Sequence, residues 1–173
     1  SFGSGSFLTP SNPPPCSGGS WSRSGSVFTC TGRVILGNGD EVYVSTEFFE
    51  VLDDITVVAN NGFQLTNNVI GTSAKNINLQ SDYGSIIASG SNTIVGNVSS
   101  ASGSINLTNT TIAGDVTTQS ALTMTGGSVS GDIVARNGVS LTNTTIAGDV
   151  TTQSTLTMTG GSVSGDIVAR NGV

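Results

Sequence analysis

Few side chains in this 173-residue chain could carry out acid–base, nucleophilic or metal chemistry. The chain has no histidine, so the Ser-His-Asp and Cys-His arrangements of nucleophilic catalysis are absent. It also lacks the GxxxxGK[ST] loop that cradles phosphates. The sequence therefore predicts a protein that is not an enzyme.

The clearest exception is a group of carboxylates in the first third of the chain. It comprises Asp40-Glu41 and the set Glu47, Glu50, Asp53 and Asp54. Such clusters serve polysaccharide-cleaving enzymes together with Ca²⁺ or a basic residue, and the basic residue nearest in sequence is Arg33. We favour solvated loop charge, and keep a polysaccharide-binding or polysaccharide-cleaving role as an alternative.

A second set of carboxylates recurs every 17 residues and lies after a glycine each time: Asp115, Asp132, Asp149 and Asp166. Carboxylate oxygens are good Ca²⁺ ligands, so this column is a candidate calcium ladder. The competing interpretation is that each Asp caps its own turn. Because the Gly-Gly-x-Gly-x-Asp calcium repeat is not matched, we favour capping and expect no cofactor.

Threonines form the third candidate, a Thr-x-Thr pattern flanking apolar residues: Thr108, Thr123, Thr125, Thr142, Thr157 and Thr159. On a strand these side chains point to solvent, about 6.6 Å apart along it and about 4.8 Å apart between strands. Such a grid is similar to the face of ice-binding proteins. The alternative is that Thr is simply a good solvent-side strand residue.

The elements that must position these residues follow from an internal repeat. Residues 138–154 and 155–171 align, and the same 17-residue unit covers 104–120 and 121–137. We call 104–120 and 138–154 Asn coils, because Asn follows their first apolar pair; 121–137 and 155–171, which have Gly there, are Gly coils. Short apolar-x-apolar strands with Gly/Asn corners predict an all-β parallel β-solenoid of three-strand coils.

The predicted core consists of columns of apolar residues in register. The first column is Ile105, Leu122, Val139 and Leu156; another is Ile112, Val129, Ile146 and Val163. Looser copies extend upstream, so we expect seven or eight coils, with irregular early coils over 34–103 and regular coils over 104–173. The segment 45–54 has apolar residues at helical spacing, and we favour a short flanking helix over a bulged strand there.

Residues 1–33 are predicted to be an N-terminal tail and cap. Cys16 and Cys30 have the wrong spacing for a CxxC metal knuckle, so we expect a disulfide, and with it an oxidising, extracellular location. Trp21 and Phe28 would cover the exposed end of the core. No such cap is apparent at the other end, where we expect further repeats of the chain or end-to-end self-association.

Charge narrows the range of partners. A net charge of −6 with five scattered basic residues disfavours nucleic acid and anionic membranes, and no apolar run is long enough to cross a bilayer. A surface or glycan ligand stays open.

The stretch "CSGGSWSRSGSVFTCTGRVILGNGDEV", followed by "INLQSDYGSIIASGSNTIVGNVSSASGSI", resembles bacterial surface proteins of the MSHA-pilus-biogenesis MshQ type. The resemblance covers most of residues 16–120 and implies a secreted bacterial protein tied to pili or adhesion. With the repeat, it favours a structural or adhesive stalk or filament at the cell surface.

Overall fold

Alternating apolar and polar residues in strands of two to five residues build three sheets that run the length of the molecule. The computed structural model describes residues 6–8, 14–44 and 54–173. Its described part is all-β, and the parallel pairing of successive coils confirms the β-solenoid. Seven layers of three strands follow one another, from β4–β6 to β22–β24, which amounts to about six turns.

Each sheet forms one long face of the solenoid. The first face is built from β2 (Cys16–Ser17), β5 (Arg33–Ile35), β8 (Phe63–Thr66), β11 (Ile86–Ser89), β14 (Ile105–Thr108), β17 (Leu122–Thr125), β20 (Val139–Thr142) and β23 (Leu156–Thr159). The second face is built from β1 (Ser6–Leu8), β6 (Glu41–Val44), β9 (Val69–Ile70), β12 (Asn92–Ile94), β15 (Thr110–Ile112), β18 (Ser128–Val129), β21 (Thr145–Ile146) and β24 (Ser162–Val163). The third face is built from β3 (Trp21–Ser24), β4 (Val27–Cys30), β7 (Ile55–Ala59), β10 (Ile77–Ser81), β13 (Val98–Ser100), β16 (Val116–Thr118), β19 (Ile133–Ala135), β22 (Val150–Thr152) and β25 (Ile167–Ala169).

The core lies between the faces and is made of residues stacked in direct register. Ile105 pairs with Leu122, Leu122 with Val139, and Val139 with Leu156, and all four are at most 3% exposed. In the other predicted column, three residues are buried and the last is partly buried: Ile112, Val129, Ile146 and Val163. No single coil could bury these side chains, so the stacking itself creates the core.

The first corner of each regular coil requires a left-handed backbone, as the Asn/Gly alternation predicts. The φ angles are 44° at Asn109, 72° at Gly126, 51° at Asn143 and 69° at Gly160. Asn and Gly are the residue types that adopt this conformation with least strain.

On the first and third faces, the N-terminal end is closed by strands that run antiparallel to the coils, whereas β1 pairs parallel with β6 on the second face. Strand β2 pairs antiparallel with β5, and β3 pairs antiparallel with β4. The Cys16–Cys30 disulfide, with 5.6 Å between its Cα atoms, joins the two pairs and confirms the expected bond. Phe28 is 2% exposed, and the partly buried Trp21 donates its indole N–H to the carbonyl of Pro14 at 2.7 Å.

The early coils differ from the later ones in the length of their connections. The same core column passes through Val34, Phe63 and Ile86 before Ile105, and its steps shorten until they reach 17 residues from Ile105 onward. The helix expected at 45–54 falls almost wholly on residues outside the described part of the chain, where only Asp54 is described.

Candidate functional surfaces

The aspartate ladder lies along one corner and joins each coil to the next. The Oδ1 atom of Asp115 accepts the backbone N–H of Asp132 at 2.7 Å, and the next two steps repeat this bond at 2.8 Å. Asparagines extend the ladder upstream, since Asn78 accepts from Asn97 and Asn97 from Asp115, both at 2.8 Å. The side chain therefore caps the following coil, whereas the sequence predicted a cap on its own turn.

This bond explains the glycine that precedes each aspartate of the ladder. A Cβ at Gly131 would lie 2.0 Å from Asp115 Oδ1, and one at Gly148 would lie 2.2 Å from Asp132 Oδ1. The φ angles of these glycines are not positive, so any residue could adopt their backbone conformation. Glycine is needed instead because the carboxylate oxygen of the preceding coil lies where a Cβ would be. One carboxylate oxygen of each ladder Asp is thus engaged with protein as far as Asp149, and no three acidic, His or Cys side chains in the described ranges gather as a metal site.

The first corner holds a second ladder in which large and small residues alternate. Asn109 Oδ1 lies over Gly126, where a Cβ would approach it to 2.2 Å, and Asn143 Oδ1 lies over Gly160 in the same way. Asn67 and Gly90 show the same relation in an earlier turn, at 2.1 Å. In each of these three pairs the asparagine leaves no room for a Cβ in the next coil, which accounts for the alternation of asparagine and glycine in the regular coils.

The position after the Asn/Gly corner also alternates between a large and a small residue, here a buried threonine and a glycine. Thr110 and Thr144 are fully buried and stack with Gly127, whose own Cβ would lie 2.2 Å from the Thr110 carbonyl oxygen. The Thr144 hydroxyl has one proton to donate, and its nearest acceptor is the Thr142 carbonyl of its own coil at 3.1 Å; the Gly126 and Met124 carbonyls of the preceding coil lie at 3.3 Å and 3.4 Å. The hydroxyl is therefore satisfied in the core, where an unpaired polar group would be costly.

The Thr-x-Thr columns lie on the first face, with their side chains outside the core. Thr123, Thr125, Thr157 and Thr159 in the Gly coils are exposed. In the Asn coils, Thr108 and Thr142 are half-buried, and the partner column holds Asn106 and Ser140. A Thr-x-Thr pair in which both threonines are exposed, here called a Thr rung, therefore occurs in every second coil, and successive Thr rungs are about 9.6 Å apart.

The acidic residues of the first third do not form one site among the described residues. Asp40 is 7% exposed and its carboxylate accepts the backbone N–H of Gly37 at 3.1 Å, while Asp54 is exposed and accepts from the Asn76 N–H at 3.3 Å. Glu41 is half-buried on strand β6. Glu47, Glu50 and Asp53 lie outside the described residues.

A shallow groove of about 140 Å³ crosses the third face near the C-terminal end. It is lined by Gln119, Val134, Arg136 and Gln153, among others. The exposed Arg136 lies between two glutamines, one from each neighbouring coil. The sequence pattern predicted neither this groove nor the hydrogen bonds between coils, because both are formed by contacts between neighbouring layers.

The last coil differs from the inner ones in the exposure of its core residues. In the Gly coil 121–137, Met124 and Ile133 are fully buried. The equivalent residues of coil 155–171 are more open: Met158 is only partly buried, and Ile167 is 40% exposed.

No helix in the described ranges is long and apolar enough to cross a membrane. No protein-family model, characterised protein or solved structure matches the chain.

Proposed function

We propose that this protein is an extracellular structural rod whose length is set by the number of stacked coils. The observation that carries the proposal is the double connection between layers. Main-chain pairing runs through three continuous sheets, and side-chain ladders cross every regular layer at the corners. An element connected this way resists bending and shear along its whole length.

The composition of the surface supports the same role. The regular coils present mainly Thr, Ser, Asn and Gly, with only 9% charged residues in the whole chain. The disulfide is consistent with an oxidising, extracellular location. The resemblance of residues 16–120 to MshQ-type surface proteins favours a place at a bacterial surface, as a stalk or adhesive fibre.

At the N-terminal edge, antiparallel strands cover the first and third faces, and β1 pairs parallel with β6 on the second. We therefore favour a rod that is lengthened by adding coils within one chain over a rod formed by folded chains that stack head to tail.

Small-angle X-ray scattering tests the rod. Chains carrying one, two and three additional 34-residue units are compared with the parent chain. Each unit adds two layers, so the maximum dimension is expected to grow by about 10 Å per unit, in proportion to the number of units. A dimension that levels off, or a scattering profile of a flexible chain, would refute the rod.

Ice binding is a second candidate, favoured by the exposed Thr rungs of the two Gly coils. It predicts that the parent chain shapes or slows growing ice crystals, and that Thr125→Tyr abolishes this effect. Thr145→Tyr, at an exposed position on the second face, is the matched control. Normal ice growth in the presence of the folded parent chain would eliminate this candidate.

A further inference from the structure

The groove on the third face lies at the corner that carries the cations of the regular coils. Arg136 and Arg170 are the two basic residues of the segment 104–173, and each directly follows a third-face strand. We propose that this groove binds an acidic polysaccharide that carries a carboxylate on every second sugar. Such a site goes beyond the rod function, since it gives the outer surface of the solenoid a ligand.

The charges of the third face are divided between its two edges. All four carboxylates of the regular coils belong to the aspartate ladder, which precedes the third-face strands, whereas the arginines follow them. Asp132 and Arg136 lie at opposite ends of β19, which is about 13 Å in an extended strand. This distance exceeds the Debye length of about 8 Å at physiological ionic strength, so repulsion between the ladder and an anion at Arg136 is largely screened.

The groove presents the kinds of group that recognise a sugar acid. The exposed Arg136 lies between Gln119 of one neighbouring coil and Gln153 of the other, with successive coils about 4.8 Å apart. A guanidinium can hold a carboxylate through two parallel hydrogen bonds, and a glutamine amide both donates to and accepts from hydroxyl groups. Val134, which is 45% exposed, adds an apolar contact for the C–H face of a sugar ring.

The main chain around these side chains is fixed by the stacking of the coils. The Arg136 N–H donates to the Thr118 carbonyl at 3.1 Å, and the Asn137 N–H donates to the Ser120 carbonyl at 2.9 Å. The Thr118 hydroxyl accepts the Ser120 N–H at 3.0 Å. A ligand therefore meets a preformed surface on which the arginine and glutamine side chains are the parts left to order, and this keeps the entropic cost of binding low.

The spacing of the cations indicates the class of polysaccharide. Strand register places Arg170 two coils after Arg136, about 9.6 Å along the axis, with Gln153 between them. Two rings of an extended polysaccharide cover about this distance. A chain in which sugar acids alternate with neutral sugars therefore places one carboxylate at each arginine and a neutral ring at the glutamine.

A second copy of the chain fits the same surface less well. Two third faces packed together with parallel axes would set the arginine edge of each copy over the aspartate edge of the other. However, a face about 13 Å wide and seven layers long offers only about 400 Å² per copy. A specific dimer buries about 800 Å² per partner. Charge and area together therefore favour the polysaccharide.

Titration of the full chain with a hyaluronan octasaccharide, in which glucuronate alternates with N-acetylglucosamine, tests the site through backbone amide shifts in NMR spectra. The same octasaccharide with its carboxylates reduced to alcohols is the matched ligand control. Arg136→Gln is the test variant, because Gln occupies this position in both neighbouring coils and should preserve the fold. Lys75→Gln, between β9 and β10, removes the same charge far from the groove and is the matched control variant.

We expect shifts confined to the Arg136 corner and an affinity about tenfold lower for Arg136→Gln, the scale of one hydrogen bond to a charged group. Lys75→Gln should bind like the parent chain. No binding, equal binding of the reduced octasaccharide, or an equal loss in both variants would overturn the proposal. So would sedimentation of the parent chain as a dimer whose third face is covered. Because titration does not depend on how the rod lengthens, the site and the rod can fail independently.

Discussion

Two substitutions in the aspartate ladder can separate the contribution of its hydrogen bonds to stability from that of its charge. Asp132 Oδ1 accepts the Asp149 N–H at 2.8 Å, and Asp132 lies between two other carboxylates of the ladder. Replacing it by Ala removes both the acceptor and the charge, whereas Asn removes the charge alone. Asn97 already fills this role in the same ladder, accepting from Asp115 at 2.8 Å.

The magnitudes follow from this geometry. Carboxylates about 4.8 Å apart repel by about 0.9 kcal/mol in water-like dielectric, and salt screens this. Both substitutions relieve that repulsion, so it cancels when they are compared. The remaining difference is the hydrogen bond, and we expect Asp132→Ala to be less stable than Asp132→Asn by about 1 kcal/mol.

Urea unfolding at low and high salt measures the difference, and hydrogen exchange of the Asp149 amide locates it. Asp132→Asn should equal or exceed the parent in stability, with the excess vanishing at high salt. Asp132→Ala should lose protection at the Asp149 amide at any salt concentration. Equal stability and equal protection of the two variants would show that the side chain does not join the coils.

Three further predictions concern the corner, the cap and the core. Gly126→Ala should lower the free energy of unfolding by about 1–3 kcal/mol, because Ala is strained at φ 72° and meets Asn109 Oδ1; in urea unfolding, Asn109→Gly should recover the part due to the contact. The double variant Cys16→Ser, Cys30→Ser should lose about 3 kcal/mol, seen as early exchange of β3 and β4 amides before the regular coils open. Leu141→Ala, inside the core at 1% exposure, should cost about 2–5 kcal/mol in urea unfolding, against less than about 0.5 kcal/mol for exposed Thr157→Ala.

The fold was predictable because periodicity records which side chains face inward. The columns of Ile105 and Ile112 identify two strands of each coil, and Asn109 and Gly126 identify a corner that needs left-handed backbone. The antiparallel hairpin of β3 and β4 was not predicted, since a single cap has no period to read. The disulfide between Cys16 and Cys30 was predicted and is confirmed.

The candidate surfaces were less predictable, because their meaning depends on the neighbouring layer. From the sequence, the column of four aspartates favours caps over calcium ligands, but only the N–H of the next coil, 2.7 to 2.8 Å away, shows which group each aspartate caps. Once that bond is known, the glycine before each Asp and the glycine above each Asn have one common cause. Both leave room for an oxygen that belongs to the preceding coil. The residue at each corner is therefore determined by its contact with the neighbouring coil. The 34-residue repeat is the shortest sequence that contains both kinds of contact, an Asn coil followed by a Gly coil and a Gly coil followed by an Asn coil.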